Sequence, residues 1–544
     1  MTKTKVPIDI FSVKEYGVDK WQKSFFCPVS DDEFASLYED VTQGFTCEIK
    51  KQQKLIKILL IIQYPFLIFE CINFLHVLKT IQKIHSLKMD VLYSDKTSWY
   101  KNILTGEDID VNMSRINVDI NSNVGFIENV KSFIKSIIFN RNIFSYFFSR
   151  KNKEDIKLLG SFNPLIKDYL KLRPNWVYFT SRRNWLPKDT HFILSERLKN
   201  KLQQSSKAMV NRLVIAAEKR GIELLDKHKE HFERLIEEEL SNTAKILHLV
   251  KHKISNKKRI HLLMPARGNK FYLTVGMAVQ ECGGTVTNFA HGGDTGFLNM
   301  PMLLASYFDM PLVNNFVTYT TESAKLYDKI KARYSRCKSN SLNIISANSG
   351  KYLKLRKRYN KKSFPVENRR IMIIGYPHQQ WRKPLTGASS LIHLDLELRL
   401  IDFLKKAGYD TLYKVHPNRI AETRGIFEDK VKVLKGYMQQ HLDKTDAFLF
   451  PTLATTAFSI ALCTNKTIIT LDLSYKSQRY KPFPEAVELM KKRCRIVNTE
   501  FDERKRIIFD KNGLLDALSR KPEPPNTEFI EKYMFPEKIK MGKI

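Results

Sequence analysis

From residue 259 onward the chain alternates short apolar runs with amphipathic stretches, and it does so twice. Strand, loop, helix, strand is the grammar of a parallel sheet with crossover helices, so this feature restricts the fold more than any other. In the first run, RIHLLM at 259–264 reads as a strand, PARGN at 265–269 as a loop and 271–282 as a helix stopped by Gly283 and Gly284. A strand at 285–290, the glycine-rich turn HGGDTG at 291–296, a strand at 315–320 and a helix at 322–330 follow. In the second run, 371–375 is a buried strand and 376–386 a polar loop. Leu391, Leu394, Leu398 and Ile401 then mark one face of a helix ending near Gly408. Further strands fall at 411–415, 431–434, 447–450 and 466–471. The expected class is α/β, with two Rossmann-like domains facing a cleft.

The part before this pattern is harder to read. Residues 1–200 are assigned as a mostly helical accessory region. Residues 208–250 are strongly helical, with Phe232, Ile236 and Leu240 on one face and a division at Gly221. The expected units are an accessory region at 1–200, a first Rossmann-like domain at 201–350 and a second at 366–510, with an extension at 511–544. The basic, polar stretch 351–370 is expected to link the two domains. The apolar stretch 55–79 is interrupted by Lys57, Pro65 and Glu70, so its uncharged run falls short of the roughly 18–20 residues that span a bilayer. A buried helix pair is the expectation there, with an in-plane membrane-surface helix as the alternative.

Charge narrows the partners. Lys and Arg number 91 against 57 Asp and Glu, a formal net charge of +34. A surplus of that size calls for an anionic partner: nucleic acid, an anionic membrane face or a phosphorylated acceptor. The seven Cys are scattered without a CxxC pair, which fits reduced thiols in a cytosolic compartment and argues against a Cys-based zinc site. The amino terminus has no apolar core of a secretory signal. The expected location is cytoplasmic, peripheral on the inner face of the membrane.

Ligands of open parallel sheets bind outside the carboxyl ends of the strands, and the polar punctuation falls there. The loop YPHQQWRK at 376–383 offers aromatic, imidazole and cationic groups, with His378 and Arg382 suited to a nucleobase plus phosphate. KVHPNR at 414–419 delivers Lys414, His416 and Arg419 to a strand end where Pro417 turns the chain. PTLATTAFS at 451–459 opens a helix with Thr455 and Thr456, whose hydroxyls and backbone N–H groups suit a phosphate. In the first run, His291 or Asp294 could take a proton from an acceptor hydroxyl, and Arg267 could hold acceptor phosphate. There is no GxxxxGK[ST] loop, no HExxH and no clear DxD, so a metal-free mechanism without cofactors is expected.

The combination of HGG after a strand in one run with KVHPNR and PTLATTAFSIAL in the next resembles bacterial capsule and lipopolysaccharide transferases of the GT-B type, Kdo transferases above all. More distantly it is similar to the CDP-glycerol glycerophosphotransferases. The resemblance covers about 258–473, and this chain lacks the acidic-serine pattern at the helix start that many of those enzymes carry. It implies a glycosyltransferase moving a sugar from a nucleotide-activated donor, CMP-linked in the Kdo case, to a glycan or lipid-linked acceptor. His416, Arg419, Thr455 and Thr456 would then grip the donor phosphate, and His291 or Asp294 would lie near the reacting centre. The alternatives are a sugar-nucleotide epimerase or glycerophosphotransferase on the same fold, an inactive scaffold, and a nucleic-acid-binding protein. No nucleic-acid reading module is recognisable, so no specific nucleic acid is expected.

Overall fold

The computed structural model describes residues 4–94, 103, 154–160, 164–170, 177–187, 192–255, 259–265, 270–290, 297–298, 309–334, 342–347, 352–359, 365, 367–376, 390–417, 420–453, 455–472, 482–523 and 527–534. The chain opens with strand β1 (Lys5–Pro7), helix α1 (Ile10–Tyr16) and helix α2 (Val18–Lys23). Asp9 caps α1 by accepting from the Ser12 amide at 2.8 Å. Two long helices follow, α3 (Asp31–Lys51) and α4 (Lys54–Ser86), and β2 (Asp90–Leu92) returns to pair parallel with β1. The expected helix pair at 55–79 is therefore one helix, with Pro65 inside it. By length and composition α4 could cross a membrane, but its most apolar window is 72% buried inside the protein. Leu59, Leu60, Ile62 and Leu75 sit in an apolar cluster with residues from four other helices.

The first sheet begins earlier than expected. Strands β3 (Glu154–Leu159) and β4 (Val177–Thr180) belong to it, although they lie in the stretch assigned as helical and accessory. Neither shows a clear period of two among the charged and aromatic residues in and beside it. Helices α5 (Glu196–Glu218) and α6 (Asp226–Ile254) come next, separated at Gly221, whose φ of +64° only glycine adopts readily. The run predicted from sequence then appears within a few residues: β5 (Arg259–Met264), α7 (Lys270–Glu281), β6 (Thr285–Phe289), β7 (Asn315–Thr318) and α8 (Thr321–Tyr334), closed by β8 (Asn343–Ser346). The strand order is β4-β3-β5-β6-β7-β8, all parallel. In β5 every residue after Arg259 is buried, as expected of a strand covered on both faces.

The expected linker at 351–370 carries a short helix, α9 (Leu353–Tyr359), anchored by buried Tyr352 and Tyr359. The second sheet follows: β9 (Arg370–Ile374), α10 (Ser390–Lys406), β10 (Asp410–Lys414), β11 (Lys432–Leu434), β12 (Ala447–Phe450), α11 (Thr456–Leu462), β13 (Thr467–Leu471), α12 (Pro484–Lys491) and β14 (Arg495–Val497). Its order is β11-β10-β9-β12-β13-β14, again all parallel. Strands β15 (Thr499–Phe501) and β16 (Ile507–Phe509) form an antiparallel ribbon, and α13 (Lys511–Ser519) and α14 (Thr527–Tyr533) end the described chain. The architecture is thus α/β with two six-stranded parallel sheets, compatible with two Rossmann-like units.

Helices cover both faces of the second sheet. Leu394, Leu398 and Ile401 of α10 pack on one face beside Ile371 and Ile373, while Phe458 and Leu462 of α11 pack on the other beside Met372 and Ile374. Alternate residues of β9 thus enter separate cores. The second of these cores is continuous with the first sheet, since it also contains Leu158, Leu263 and Phe316. Phe297 lies within it: its ring meets Phe458, Phe529 and Tyr533 at centroid distances of 5.9, 5.3 and 6.2 Å. The chain ends tie the two units further. Thr320 donates to the Lys532 carbonyl at 2.7 Å, which joins α14 to the first unit. Trp21 and Phe25 pack with the second unit, while α3 and α4 pack with the first.

Candidate functional site

The strand orders place one crossover reversal in each sheet. In the second, β10 lies on one side of β9 and β12 on the other, so the chain leaves β9 and β12 in opposite directions. Such a reversal leaves a crevice at the carboxyl ends of the two strands, which is where doubly wound sheets bind ligands. In the first sheet the reversal falls between β3 and β5. There the chain is tight: a Cβ on Gly160, whose φ is +114°, would lie 2.9 Å from Pro265 and 2.9 Å from Tyr272.

The exit from β9 is built by a buried carboxylate. Glu397, from α10, is wholly buried and accepts from the Tyr376 amide and from the Tyr413 hydroxyl, the latter at 2.8 Å. Gly375 must be glycine for a steric reason, because an added Cβ would run into that same hydroxyl. Tyr376 stacks on His393 with ring centroids 3.9 Å apart and planes 7° apart. Its ring is thus committed to the interior, and the loop's other aromatic residue, Trp381, lies outside the described residues.

One strand away, Lys414 ends β10. Only 5% of it is exposed, and its ammonium donates to the Val415 carbonyl at 2.8 Å. Among the described residues no carboxylate forms an ion pair with it. Burial alone pushes its pKa down to about 8. His416 follows, half-buried. The contrast with Lys270, at the start of α7, is informative. That ammonium is also buried, but Glu239 pairs with it at 2.7 Å. A buried cation with its counter-ion is a structural group; one without is an unmet demand for negative charge.

At the exit from β12, Thr455 caps α11, its hydroxyl accepting from the Ala457 amide at 3.3 Å. Thr456 is exposed on the first turn. The two threonines therefore differ: Thr455 organises the helix start, and Thr456 faces outward. Lys414, His416, Thr455 and Thr456 all lie at the carboxyl edge of the second sheet, as the sequence reading required. Arg267, His291, Asp294, His378, Arg382 and Arg419 lie outside the described residues. Glu397 was not anticipated. In sequence it is one acid among the leucines of an amphipathic helix, and only the fold brings it under the β9 exit. Among the described residues no three His, Cys, Asp or Glu side chains converge as a metal site.

Comparison with known protein families, characterised proteins and solved structures finds no match for this chain.

Proposed function

We propose that the carboxyl edge of the second sheet binds the phosphate of a nucleotide-activated sugar, and that the protein is a GT-B-type glycosyltransferase acting on a glycan or lipid-linked acceptor. The observation that carries this reading is Lys414: a buried ammonium without a counter-ion among the described residues, one strand from the crossover reversal of a doubly wound sheet. Sugar transfer from a nucleotide leaves negative charge on the departing phosphate. A fixed, desolvated cation at that point stabilises the leaving group without the reorganisation that water would need. In this reading Lys414, His416 and Arg419 face the phosphate, Thr456 adds a hydroxyl donor, and Thr455 holds the helix start in place. His378 and Arg382 belong to the loop after β9 and would contact the base or its phosphate. His291 or Asp294, from the first unit, would take the acceptor's proton, with Arg267 on an acceptor phosphate. The net charge of +34 suits an anionic membrane face and a polyanionic acceptor.

A thermal-shift panel of CMP, CDP, UDP, GDP and ADP tests the reading. At least one nucleotide raises the melting temperature, and Lys414→Met and His416→Ala each weaken that nucleotide by about 10–100-fold, the range for losing a charged hydrogen bond. A response to CMP points to Kdo-type donors. Retention on DNA with no nucleotide response would favour nucleic-acid binding instead.

A further inference from the structure

The opposite, amino edge of the second sheet holds another cation whose charge is unanswered. Arg493 lies between α12 and β14, is 1% exposed, and donates through Nη2 to the carbonyls of Thr464 and Lys466 at 2.7 and 2.9 Å. Its Nε and Nη1 have no hydrogen-bond partner among the described residues. No carboxylate pairs with it among the described residues. Glu523, an acid near enough to act on it, is taken up by Arg495 at 3.7 Å. A second guanidinium, Arg356 on α9, is close enough to repel it. The loop that Arg493 grips is fastened to the same helix, since Asn465 donates to the Tyr359 carbonyl at 2.8 Å.

We propose that Arg493 is the core of a second anion site, distinct from the donor site, which takes a small tetrahedral oxyanion of the phosphate type. Three facts support this. A guanidinium cannot shed its proton to relieve burial as a lysine can, so its charge persists in the interior. Water would satisfy the idle N–H groups but not the charge, and an unpaired buried charge is strongly unfavourable. Like charge from Arg356 adds to that demand, and an oxyanion bound at Arg493 would offset it. Arg356 is only partly buried and so extends the site toward the surface of the basic helix α9. The two proposed sites lie at opposite edges of the same parallel sheet and on different strands, so this inference stands whether or not the donor reading holds.

Thermal denaturation of the full chain in rising inorganic phosphate is the test, with wild type, Arg493→Met, Arg356→Gln and Lys414→Met compared. The proposal expects phosphate to raise the melting temperature of wild type by several degrees. Part of the shift persists in Lys414→Met, its apparent affinity weakens about tenfold in Arg356→Gln, and Arg493→Met removes the part that Lys414→Met keeps, so that the double variant shows none. Should Arg493→Met fail to fold, Arg356→Gln decides alone. A wild type indifferent to phosphate, or an Arg356→Gln variant with unchanged affinity, overturns the site. So does a phosphate shift that is lost in Lys414→Met and kept in the Arg493 variant, because the anion would then lie at the donor edge.

Discussion

Lys414 couples the site to pH. Its pKa in the folded protein is about 8, against an ordinary value of 10.5, and burial is the cause. The unfolded chain therefore holds this proton more tightly than the folded chain does. Below about pH 8 both states carry it and the penalty of burying the charge is present in full. Between pH 8 and 10.5 the folded state releases it first and the penalty fades, so this group makes the protein more stable as pH rises. The difference corresponds to roughly 3 kcal/mol. Denaturant titrations at pH 7 and pH 9.5 check this: the gain in stability on raising the pH is larger in wild type than in Lys414→Met. An equal gain in both would mean that Lys414 does not titrate in this window. A bound phosphate reverses the preference, since it favours the charged ammonium. Nucleotide affinity is accordingly expected to fall as pH rises through 8.

At the scale of the element, the lesson concerns what a linear pattern carries. The strands 259–264 and 447–450 were legible to the residue, because each is a bounded apolar run covered on both faces. Strands β3 and β4 were not, because short strands flanked by aromatic and basic stretches show no clear period. The positions of Lys414 and His416 at a strand end were legible from the turn that Pro417 imposes. That the lysine has no counter-ion among the described residues was not, since pairing depends on what the fold brings alongside. Glu397 makes the same point. Sequence places it in a helix; only the sheet explains why a carboxylate lies beneath Gly375. Glu397→Ala leaves the Tyr376 amide and the Tyr413 hydroxyl without their buried acceptor, a loss of about 2–4 kcal/mol. Glu397→Gln can still accept from one and donate to the other. If this contact positions the loop 376–383, the alanine variant loses nucleotide affinity as well as stability and the glutamine variant recovers both. An alanine variant with lowered stability but unchanged affinity would make the contact purely structural.

At the scale of the whole molecule, the two sheets are not independent. One apolar cluster runs through both, Phe297 contacts residues of the second unit, and α14 packs back onto α8. The amino-terminal helices α1 and α2 lie on the second unit, with the Cys27 amide donating to the Arg504 carbonyl at 3.2 Å, before the chain passes to α3 and the first unit. The chain therefore links the units at both of its ends as well as through α9. A transferase needs donor and acceptor held in register, and such ties limit how far two units can part. The reading as a whole depends on the carboxyl edge of the second sheet being a receptor for nucleotide phosphate. Isothermal titration of the nucleotide that responds in the thermal panel, into wild type and Lys414→Met at pH 7, tests that most directly. The expected result is one site per chain in wild type with proton uptake at higher pH, and at least tenfold weaker binding in the variant. Equal affinity in the two proteins, with the fold of both intact, would contradict it.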